Sequence, residues 1–303
     1  MNYLKKLTVI IASLATASSL YAHSHDPFEK VQITSINVNN GIHMLMGQGG
    51  NIGLSVGEDG IFMIDDQFAP LSKKIKTSIS KISKKPIKFL INTHWHFDHT
   101  GGNENFAKDG IVIVSHDNVR KRMSKDNFIK AFNKKIPAAK KVALPMVTFN
   151  DSISFFLNNE EIEIIHQSNA HTDGDSVVFF KTSNVIHTGD IYFNGFYPFI
   201  DSSSKGSIDG VIKSVNYILT RVDDKTKIIP GHGKLSNKNE LINYRDTLVI
   251  LRDRMKSLVK EGKTVEEVVA LKPNADLDKT WGKGFLNPEK FLRILYDVVK
   301  SNN

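Results

Sequence analysis

Four residues of the kind that bind metal ions lie within six positions, in the segment His94-Trp95-His96-Phe97-Asp98-His99. The segment follows the apolar stretch 87–91, which is typical of a short buried strand. His94 and His96 are two positions apart, so in extended backbone both project to the same side and can bind one ion. Asp98 and His99 follow in the turn and can face a neighbouring position. Because imidazole and carboxylate together suit zinc, or less specifically iron and manganese, the segment predicts a metal site at a strand end.

Strand and helix patterns alternate around this segment. Helices are predicted at about 71–82, from Thr100 to Phe106, and from a capping Ser207 to about Leu219. Pro137 and Pro145 interrupt a lysine-rich region, so broken helices and loop are expected over 116–147. Strands are predicted at 31–38, 41–46, 52–56, 61–64, 87–91, 111–114, 152–157, 161–166, 176–181, 185–187 and 227–229.

The C-terminal part of the chain is predicted to be mostly helical. Apolar residues recur at steps of three and four from Leu241 to Leu258. Thr264 with Glu267 forms a capping box, and Pro288 after Asn287 favours another helix start. No change of composition marks a linker, so residues 23–303 are expected to form one domain with a helical tail from about residue 236.

The N-terminus has the pattern of a secretory signal peptide. Lys5 and Lys6 precede an apolar stretch over 7–20 that is short for a membrane span, and Ala22 ends a plausible cleavage site. Ala15-Thr16-Ala17 fits the small-residue rule as a second cleavage site, and an uncleaved membrane anchor is the alternative. Residues 1–22 are expected to be removed, leaving a periplasmic or secreted protein without a stable membrane anchor.

Charge and composition narrow the choice of partners. The net charge is +8, but the lysines are scattered in pairs that are typical of solvated faces, so no nucleic-acid partner is expected. The chain has no cysteine, which excludes disulfides, thiolate metal ligands and cysteine nucleophiles. The oligomeric state is left open.

Further ligand-type residues follow at separate positions along the chain. The His94–His99 segment has the form His-x-His-x-Asp-His, and with four other motifs the chain resembles the metallo-β-lactamase superfamily from about Val38 to Gly233. Asp65 matches the first motif of that family, with Asp66 as an alternative. The remaining three motifs are matched, in order, by His171, Asp190 and His232.

The resemblance implies a fold, a metal centre and a reaction class. The fold would be α/β, a four-layer αβ/βα sandwich with a helical C-terminal extension. Asp65 would support the site, and Asp98 would orient the attacking water and accept a proton. Two Zn²⁺ ions are implied, with iron or manganese possible, and their ligands would be His94, His96 and His171 for the first, Asp98, His99 and His232 for the second, and Asp190 between them.

The residue at 190 bears on the substrate. The best-known β-lactamases of the family have cysteine or serine where this chain has Asp190, which resembles the bridging aspartate of glyoxalase II and the lactonases. Export instead favours β-lactams, lactones or other extracellular esters. We therefore expect a β-lactamase-like zinc hydrolase whose partner is a small-molecule substrate, a small cyclic amide or ester. The alternatives are a lactonase, a thioesterase or another hydrolase of this fold, a mononuclear iron oxygenase, and a zinc-binding protein without turnover.

Two further expectations concern aromatic residues and histidines. The residues after Asp190 either form an aromatic wall for an apolar substrate or pack in the core: Tyr192, Phe193, Phe196, Tyr197 and Phe199. His187, on a buried strand, is expected to support the site or the core. His43, His116 and His166 have no partner at ligand spacing.

Overall fold

The computed structural model describes residues 26–301, and the predicted signal peptide over residues 1–22 lies outside the described residues. No helix within the described range is long and apolar enough to span a membrane. The strands are β1 (Thr34–Asn39), β2 (Ile42–Met46), β3 (Ile52–Gly57), β4 (Gly60–Ile64), β5 (Ile87–Asn92), β6 (Val112–His116), β7 (Asn127–Ile129), β8 (Lys134–Ile136), β9 (Val147–Phe149), β10 (Ser152–Leu157), β11 (Glu160–His166), β12 (Ser176–Phe180), β13 (Val185–His187) and β14 (Lys227–Ile229).

Helices lie between and after these strands. The α-helices are α1 (Ser72–Ile82), α2 (Phe97–Thr100), α3 (Asn103–Ala107), α4 (Asp117–Met123), α5 (Ile208–Leu219), α6 (Lys238–Lys260), α7 (Val265–Leu271), α8 (Ala275–Trp281) and α9 (Pro288–Ser301). Short 3₁₀ turns cover Ala69–Leu71, Lys130–Phe132, Lys141–Ala143, Gly189–Ile191 and Ser202–Ser204.

The first sheet has the strand order β1-β2-β3-β4-β5-β6-β9. Its pairs are antiparallel from β1 to β4 and parallel from β4 to β9. Side chains alternate between the two faces of a strand, and both faces of β4 are buried. Phe62 and Ile64 face the second sheet, whereas Ile61 and Met63 pack with Ile75 of α1.

The second sheet has the strand order β10-β11-β12-β13-β14, with β13 and β14 parallel. Val178 and Phe180 of β12 pack against the first sheet, and Val177 and Phe179 pack in the same cluster as Val215 of α5. The layers are therefore helix, sheet, sheet and helix, which confirms the predicted four-layer α/β sandwich.

The tail helices pack on the outer side of the second sheet. Leu248 of α6 and Phe291 and Leu295 of α9 belong to the same buried cluster as Val215. The capping box of α7 is present, and Asn287 Oδ1 accepts a hydrogen bond from the Lys290 amide of α9 at 2.8 Å. The predicted helical character of the C-terminal part is confirmed, with the first tail helix beginning at Lys238.

Two local predictions were only partly correct. The helix predicted from Thr100 to Phe106 begins only at Asn103, where α3 starts, because Gly102 between α2 and α3 donates its amide to Asp66 Oδ1 at 2.8 Å. The region 116–147 contains the antiparallel hairpin β7–β8 and the sheet strand β9 as well as α4. Tertiary packing explains the hairpin, since Ile129 at the end of β7 is 1% exposed within the main core.

Candidate metal centre

Seven side chains singled out by the sequence analysis lie together at one edge of the two sheets. They form two groups in which the potential ligand atoms are within 4.8 Å of one another. The first group is His94, His96, His171 and Asp190, and the second is Asp98, His99 and His232.

The ends of strands place these side chains. The His94–His99 segment follows β5, Asp190 follows β13, and His232 follows β14. His171 lies in the loop that enters β12, and its carbonyl accepts the Asp201 amide at 3.0 Å. β5 and β14 belong to different sheets, and the 3.3 Å between Asp98 Oδ2 and His232 Nε2 shows that the loops after their carboxyl ends converge at one edge of the sandwich.

The first group is a buried set of imidazoles. His96 Nδ1 and His171 Nε2 are 2.8 Å apart. Burial and the nearby His99 hold the pKa of His94 well below its usual value, and burial lowers the pKa of His171 to about 4. These two rings are therefore neutral at physiological pH, with a nitrogen lone pair available to a ligand.

The second group is more open than the first. His232 Nε2 lies 3.3 Å from Asp98 Oδ2, and the Asp98 side chain is 23% exposed. His99 Nε2 is 3.3 Å from His232 Nε2 and 3.8 Å from Asp98 Oδ2. The three ligand atoms thus surround one position that borders the solvent-accessible side of the centre.

Asp190 connects the two groups through its two carboxylate oxygens. Its Oδ1 lies 3.1 Å from His99 Nε2 and 3.4 Å from His232 Nε2. Its Oδ2 lies 3.8 Å from His94 Nε2 and 3.6 Å from His171 Nε2. Each oxygen therefore faces a different group, which is the arrangement expected of a carboxylate that bridges two cations.

The electrostatics of the second group favour positive charge. Burial alone would raise the pKa of Asp190, but His232 and His99 hold it well below its usual range. Burial lowers the pKa of His232, yet Asp190 and Asp98 raise it to about 9. The carboxylates thus more than offset the desolvation of a cation at this position.

The donor atoms fit divalent metal ions. Three imidazoles with a carboxylate, and two imidazoles with a carboxylate, are nitrogen and oxygen sets that zinc accepts. Among the described residues, His94 Nε2 is buried and has no hydrogen-bond partner. A buried polar atom is costly when left unpaired, so this atom points to a ligand in the first group.

Asp65, rather than Asp66, contacts the ligand residues. Asp65 Oδ2 accepts hydrogen bonds from His99 Nδ1 and Thr93 Oγ1, both at 2.7 Å, and its Oδ1 accepts the Thr93 amide at 2.8 Å. Asp66 Oδ1 instead accepts the Gly102 amide. The Asp65 carboxylate therefore fixes the His99 ring with Nε2 directed into the centre.

Asp201 holds His96 in a similar way, and the sequence analysis did not identify it. Its Oδ2 lies 3.1 Å from His96 Nε2 and accepts the Ser204 hydroxyl at 2.6 Å. With Nε2 engaged, His96 presents Nδ1 to the first group. The Asp201 position is set by the loop after the 3₁₀ turn at Asp190, so no short-range spacing in the sequence identifies this contact.

Glycines let the backbone approach the ligands closely. A Cβ atom on Gly50 would overlap the His99 ring, and one on Gly231 would overlap Asp190 Oδ1. Two hydrogen bonds hold the turn that contains Gly50. The Gly50 amide donates to the Asp98 carbonyl at 3.1 Å, and Gln67 Nε2 donates to the Gly50 carbonyl at 2.7 Å. These glycines are needed because the main chain lies directly against the centre.

His187 supports the centre without belonging to either ligand group. Its ring is fully buried, with Nε2 3.0 Å from the Asn51 carbonyl, and its Nδ1 accepts the Gly189 amide at 3.2 Å. Asn51 Nδ2 donates to the Pro230 and Gly233 carbonyls, both at 2.9 Å. His187 thus links the glycine-rich turn to the segment that carries His232, as expected of a supporting residue.

A cavity of about 480 Å³ opens beside the centre. Asp98, Asp190, His96 and His232 line its inner end. Its remaining lining is Gln48, Gly49, Phe68, Phe97, Ile129, Phe132, Lys134, Phe193, Phe199 and Phe285. Its volume is within the range that small-molecule sites have, about 300–1,000 Å³.

The predicted aromatic wall is only partly present. Phe193 and Phe199 line the cavity, whereas Tyr192 and Tyr197 are buried in the core. Tyr192 pairs its hydroxyl with Ser236 at 2.8 Å, and Tyr197 stacks on Phe291 of α9 at 4.1 Å. The cavity is also lined by Phe97, Phe132 and Phe285, which the sequence analysis did not connect with the centre. They come from α2, from the turn between β7 and β8, and from the tail.

Comparison with known proteins agrees with this geometry. A model of the metallo-β-lactamase superfamily matches residues 49–232. A metallo-β-lactamase type 2 of Bacillus cereus is 20% identical over 190 residues, covering 62% of this chain and 69% of that protein. The 2,4-dinitroanisole O-demethylase subunit alpha of Nocardioides sp. (strain JS1661) is 25% identical over 144 residues. That match covers 46% of this chain and 40% of the demethylase subunit, well under two thirds of its length.

Solved structures show the same fold. A metallo-β-lactamase from Pontibacter korlensis aligns with a TM-score of 0.58 and 17% identity, covering 72% of this chain and 99% of that one. A sec-alkylsulfatase from Pseudomonas sp. aligns with a TM-score of 0.65 and 16% identity, covering 88% of this chain and 50% of that one. These likenesses support the fold alone, whereas the family model spans more than half of the sequence. The chain therefore belongs to the metallo-β-lactamase superfamily.

Proposed function

We propose that this protein is an exported hydrolase that uses two zinc ions to cleave a small cyclic amide or ester, as a β-lactamase does. The observation that carries the proposal is the position of Asp190, whose two oxygens face two separate sets of imidazoles. A single-metal centre would need neither the second set nor a carboxylate between the sets.

The ligand residues divide as the geometry groups them. His94, His96 and His171 would hold one ion, Asp98, His99 and His232 the other, and Asp190 would lie between. When bound, two such ions polarise a carbonyl group and lower the pKa of water from about 15.7 towards 7. Anionic ligands between and beside the ions offset their repulsion, which is a role for Asp190 and Asp98.

Asp98 is placed to handle the proton of the attacking water. Its carboxylate borders the cavity as well as the second group, so it can accept a hydrogen bond from water held there. In the reaction the water oxygen bonds to the acyl carbon and the carbon–nitrogen or carbon–oxygen bond breaks. The water proton is then transferred, by way of Asp98, to the leaving atom.

A lactonase or thioesterase is the second candidate, and the carboxylate at Asp190 favours it. A carboxylate between the ions adds negative charge to the centre and weakens the binding of substrates whose own anion must lie close to it. Activity on β-lactams is accordingly expected to be modest. The names of the relatives, which include β-lactamases and an alkylsulfatase, are compatible with either candidate.

A mononuclear iron oxygenase is less well supported. Such a centre needs only His94, His96 and His171, or an aspartate in place of one of them. A single-iron centre would give no role to the second group, in which Asp98 Oδ2 and His232 Nε2 are 3.3 Å apart.

Export is part of the proposal and rests on the N-terminal sequence pattern. A secreted enzyme would meet extracellular lactams, lactones and esters rather than cytoplasmic thioesters. Expression of the full chain in a bacterial host should give a processed protein in the periplasm or medium, and mass spectrometry would locate the cut. Retention of an unprocessed chain in the cytoplasm would contradict export and leave the hydrolase proposal standing.

The test of the reaction combines metal analysis with a substrate panel. The mature chain is expected to contain two zinc ions and to hydrolyse at least one of a chromogenic cephalosporin, a carbapenem, a lactone and a thioester. A chelator should abolish that activity, and added zinc should restore it. One iron per chain would favour the oxygenase, and two zinc ions without hydrolysis of any substrate would favour a binding protein.

Two histidine variants, one at a proposed ligand and one outside both groups, test the ligand assignment. The His171→Ala variant should lose at least one of the two zinc ions, because it removes one of three imidazoles from the first group. The His43→Ala variant removes a histidine of β2 that belongs to neither group, and it should keep both ions. Full occupancy in His171→Ala would contradict the assignment.

A further inference from the structure

The cavity beside the centre has an apolar outer part built by separate segments of the chain. Phe97 comes from α2, Phe132 from the 3₁₀ turn between β7 and β8, and Phe285 from the tail just before α9. Phe132 lies 4.7 Å from Phe199 and 6.3 Å from Phe285, measured between ring centroids. Phe199, Phe132 and Phe285 thus form a continuous aromatic surface along one side of the cavity, and Phe97 pairs with Phe68 at 5.7 Å.

Part of this aromatic surface is exposed to solvent, which is unfavourable for a large apolar side chain. Phe285 is 57% exposed, although large apolar side chains are usually buried or scattered singly on a protein surface. Exposed apolar residues that adjoin a cavity are characteristic of ligand-binding surfaces. The outer part of the cavity is therefore suited to the aromatic or alkyl body of a ligand.

Lys134 adds a positive charge to the same cavity. Its Nζ lies 3.7 Å from the centroid of the Phe97 ring. Of the described residues that line the cavity, Lys134 alone carries a permanent cation.

Neighbouring lysines of the hairpin differ from Lys134 in their partners. Lys130 pairs with Asp297 at 3.1 Å, and Lys135 pairs with Asp126 at 2.8 Å. Within the described part of the chain, Lys134 forms no ion pair with a carboxylate. Its ammonium group is therefore available to an anion that enters the cavity.

We infer that the substrate is an ester or amide with an aromatic or alkyl body and one carboxylate, the body lying on Phe132 and Phe285 and the carboxylate on Lys134. This inference rests on the proposed function for the bond that is cleaved. The contacts of the apolar body with Phe132 and Phe285, and of the carboxylate with Lys134, do not depend on the proposed function, because these parts of the ligand do not react.

The binding test uses two ligands that differ only in charge. 4-Phenylbutyrate and its neutral amide, 4-phenylbutyramide, are titrated into the metal-loaded protein and followed by calorimetry or ligand-observed NMR. The carboxylate should bind more tightly than the amide to the wild type. The Lys134→Met variant should weaken the carboxylate by about fivefold and leave the amide unchanged, as expected of one solvent-bordered ion pair.

Lys135→Met is the matched control, because Lys135 is on the same hairpin but pairs with Asp126 and does not line the cavity. It should bind both ligands as the wild type does. If Lys134→Met binds the carboxylate as tightly as the wild type, the inference about Lys134 is wrong.

The apolar part of the inference has its own control. Phe285→Ala should weaken both ligands by about three- to tenfold, because it removes an aromatic ring that lines the cavity. Phe156→Ala removes an exposed ring of β10 outside the cavity and should change neither affinity. Unchanged binding of both ligands to Phe285→Ala would overturn the role of the aromatic surface.

Catalysis separates this inference from the proposed function. The 4-nitrophenyl monoester of adipic acid and 4-nitrophenyl hexanoate have acyl chains of equal length, with and without a terminal carboxylate. Lys134→Met should raise KM for the first ester only and leave kcat unchanged. The binding pattern without hydrolysis of either ester would retain this inference and contradict the hydrolase. If the esters are hydrolysed but Lys134→Met changes neither the affinity for 4-phenylbutyrate nor the KM for the adipate ester, the hydrolase is supported and this inference is wrong.

Discussion

Single carboxylates determine the character of this centre. Asp190 faces both ligand groups, Asp65 orients His99, and Asp201 orients His96. Each of the two supporting carboxylates engages one nitrogen of an imidazole, so that the other nitrogen is directed to a potential metal ion. At the residue scale, the centre is therefore a set of imidazoles whose ring orientations are fixed by acidic partners.

Asp98 has a different role from these supporting residues, and the Asp98→Asn variant tests it. The amide keeps the shape of the side chain but cannot accept a proton, so turnover should fall by about 10²–10⁴-fold while the fold is retained. Steady-state kinetics, zinc analysis and circular dichroism would check this. An equivalent change at the exposed Asp126 should leave turnover unaltered, and near-normal rates in Asp98→Asn would refute the role of Asp98.

Asp201 is expected to act on metal affinity through His96. The Asp201→Asn variant removes the charge that accepts the His96 Nε2 proton, and zinc affinity should fall by about 10–100-fold. Titration against a chelator of known affinity measures the effect. The melting temperature of the metal-free variant is recorded in parallel. A loss of melting temperature with unchanged zinc affinity would mean that Asp201 only stabilises its own loop.

At the scale of elements, a histidine stack joins the two sheets. His116 ends β6 of the first sheet, His166 ends β11 of the second, and their rings are parallel at 3.6 Å. The sequence analysis assigned these histidines no partner at ligand spacing. The contact arises because the sheets pack face to face, which brings together residues fifty positions apart.

The stack should make stability depend on pH. Burial and the neighbouring His166 lower the pKa of His116 from 6.5 to about 4. In the unfolded chain His116 takes up a proton as the pH falls below 6.5, whereas in the folded protein it stays neutral to about pH 4. The free energy of unfolding should therefore decrease between pH 6.5 and 4, by up to about 3 kcal/mol from this residue.

The variant His116→Asn tests this dependence. Asparagine can still accept the Asn118 amide at the start of α4, as His116 Nδ1 does at 3.2 Å, but it does not titrate. Urea unfolding across this pH range should show a shallower loss of stability than in the wild type. Parallel curves for the two proteins would show that His116 does not contribute to acid sensitivity.

Prediction of the elements from sequence succeeded where the pattern was local. Strands with apolar runs and helices with caps, such as α5 after Ser207 and α7 with its capping box, formed as expected. The hairpin β7–β8 was not predicted because it is short and rich in lysine. Its stability comes from Ile129 in the core rather than from the propensity of its own residues.

For the molecule as a whole, the tail is packed into the same core as the second sheet. Phe291 of α9 is 1% exposed and stacks on Tyr197, which follows the Asp190 turn. The tail also supplies Phe285 to the cavity. The tail after residue 236 thus contributes both to the stability of the sandwich, through Phe291 of α9, and to its candidate binding surface, through Phe285 before α9.

Two phenylalanines of the tail allow a matched stability test. Phe291→Ala should lower the free energy of unfolding by about 3–5 kcal/mol, because it leaves a cavity in the core. Phe285→Ala, which removes a mostly exposed ring, should cost less than about 1 kcal/mol. Chemical denaturation measures both. Similar small losses for both variants would indicate that the tail is dispensable for folding.

The sequence alone was enough to predict the seven ligand-type residues and, through the five motifs that resemble the superfamily, the family and its four-layer class, because each motif is local. Only the tertiary structure decided which carboxylates orient which imidazoles, and which aromatic rings reach the cavity. Those contacts join Asp201 to His96 and Phe285 to Phe132, residues more than a hundred positions apart. Such pairs are set by the packing of sheets, loops and tail, and no spacing within a single segment encodes them.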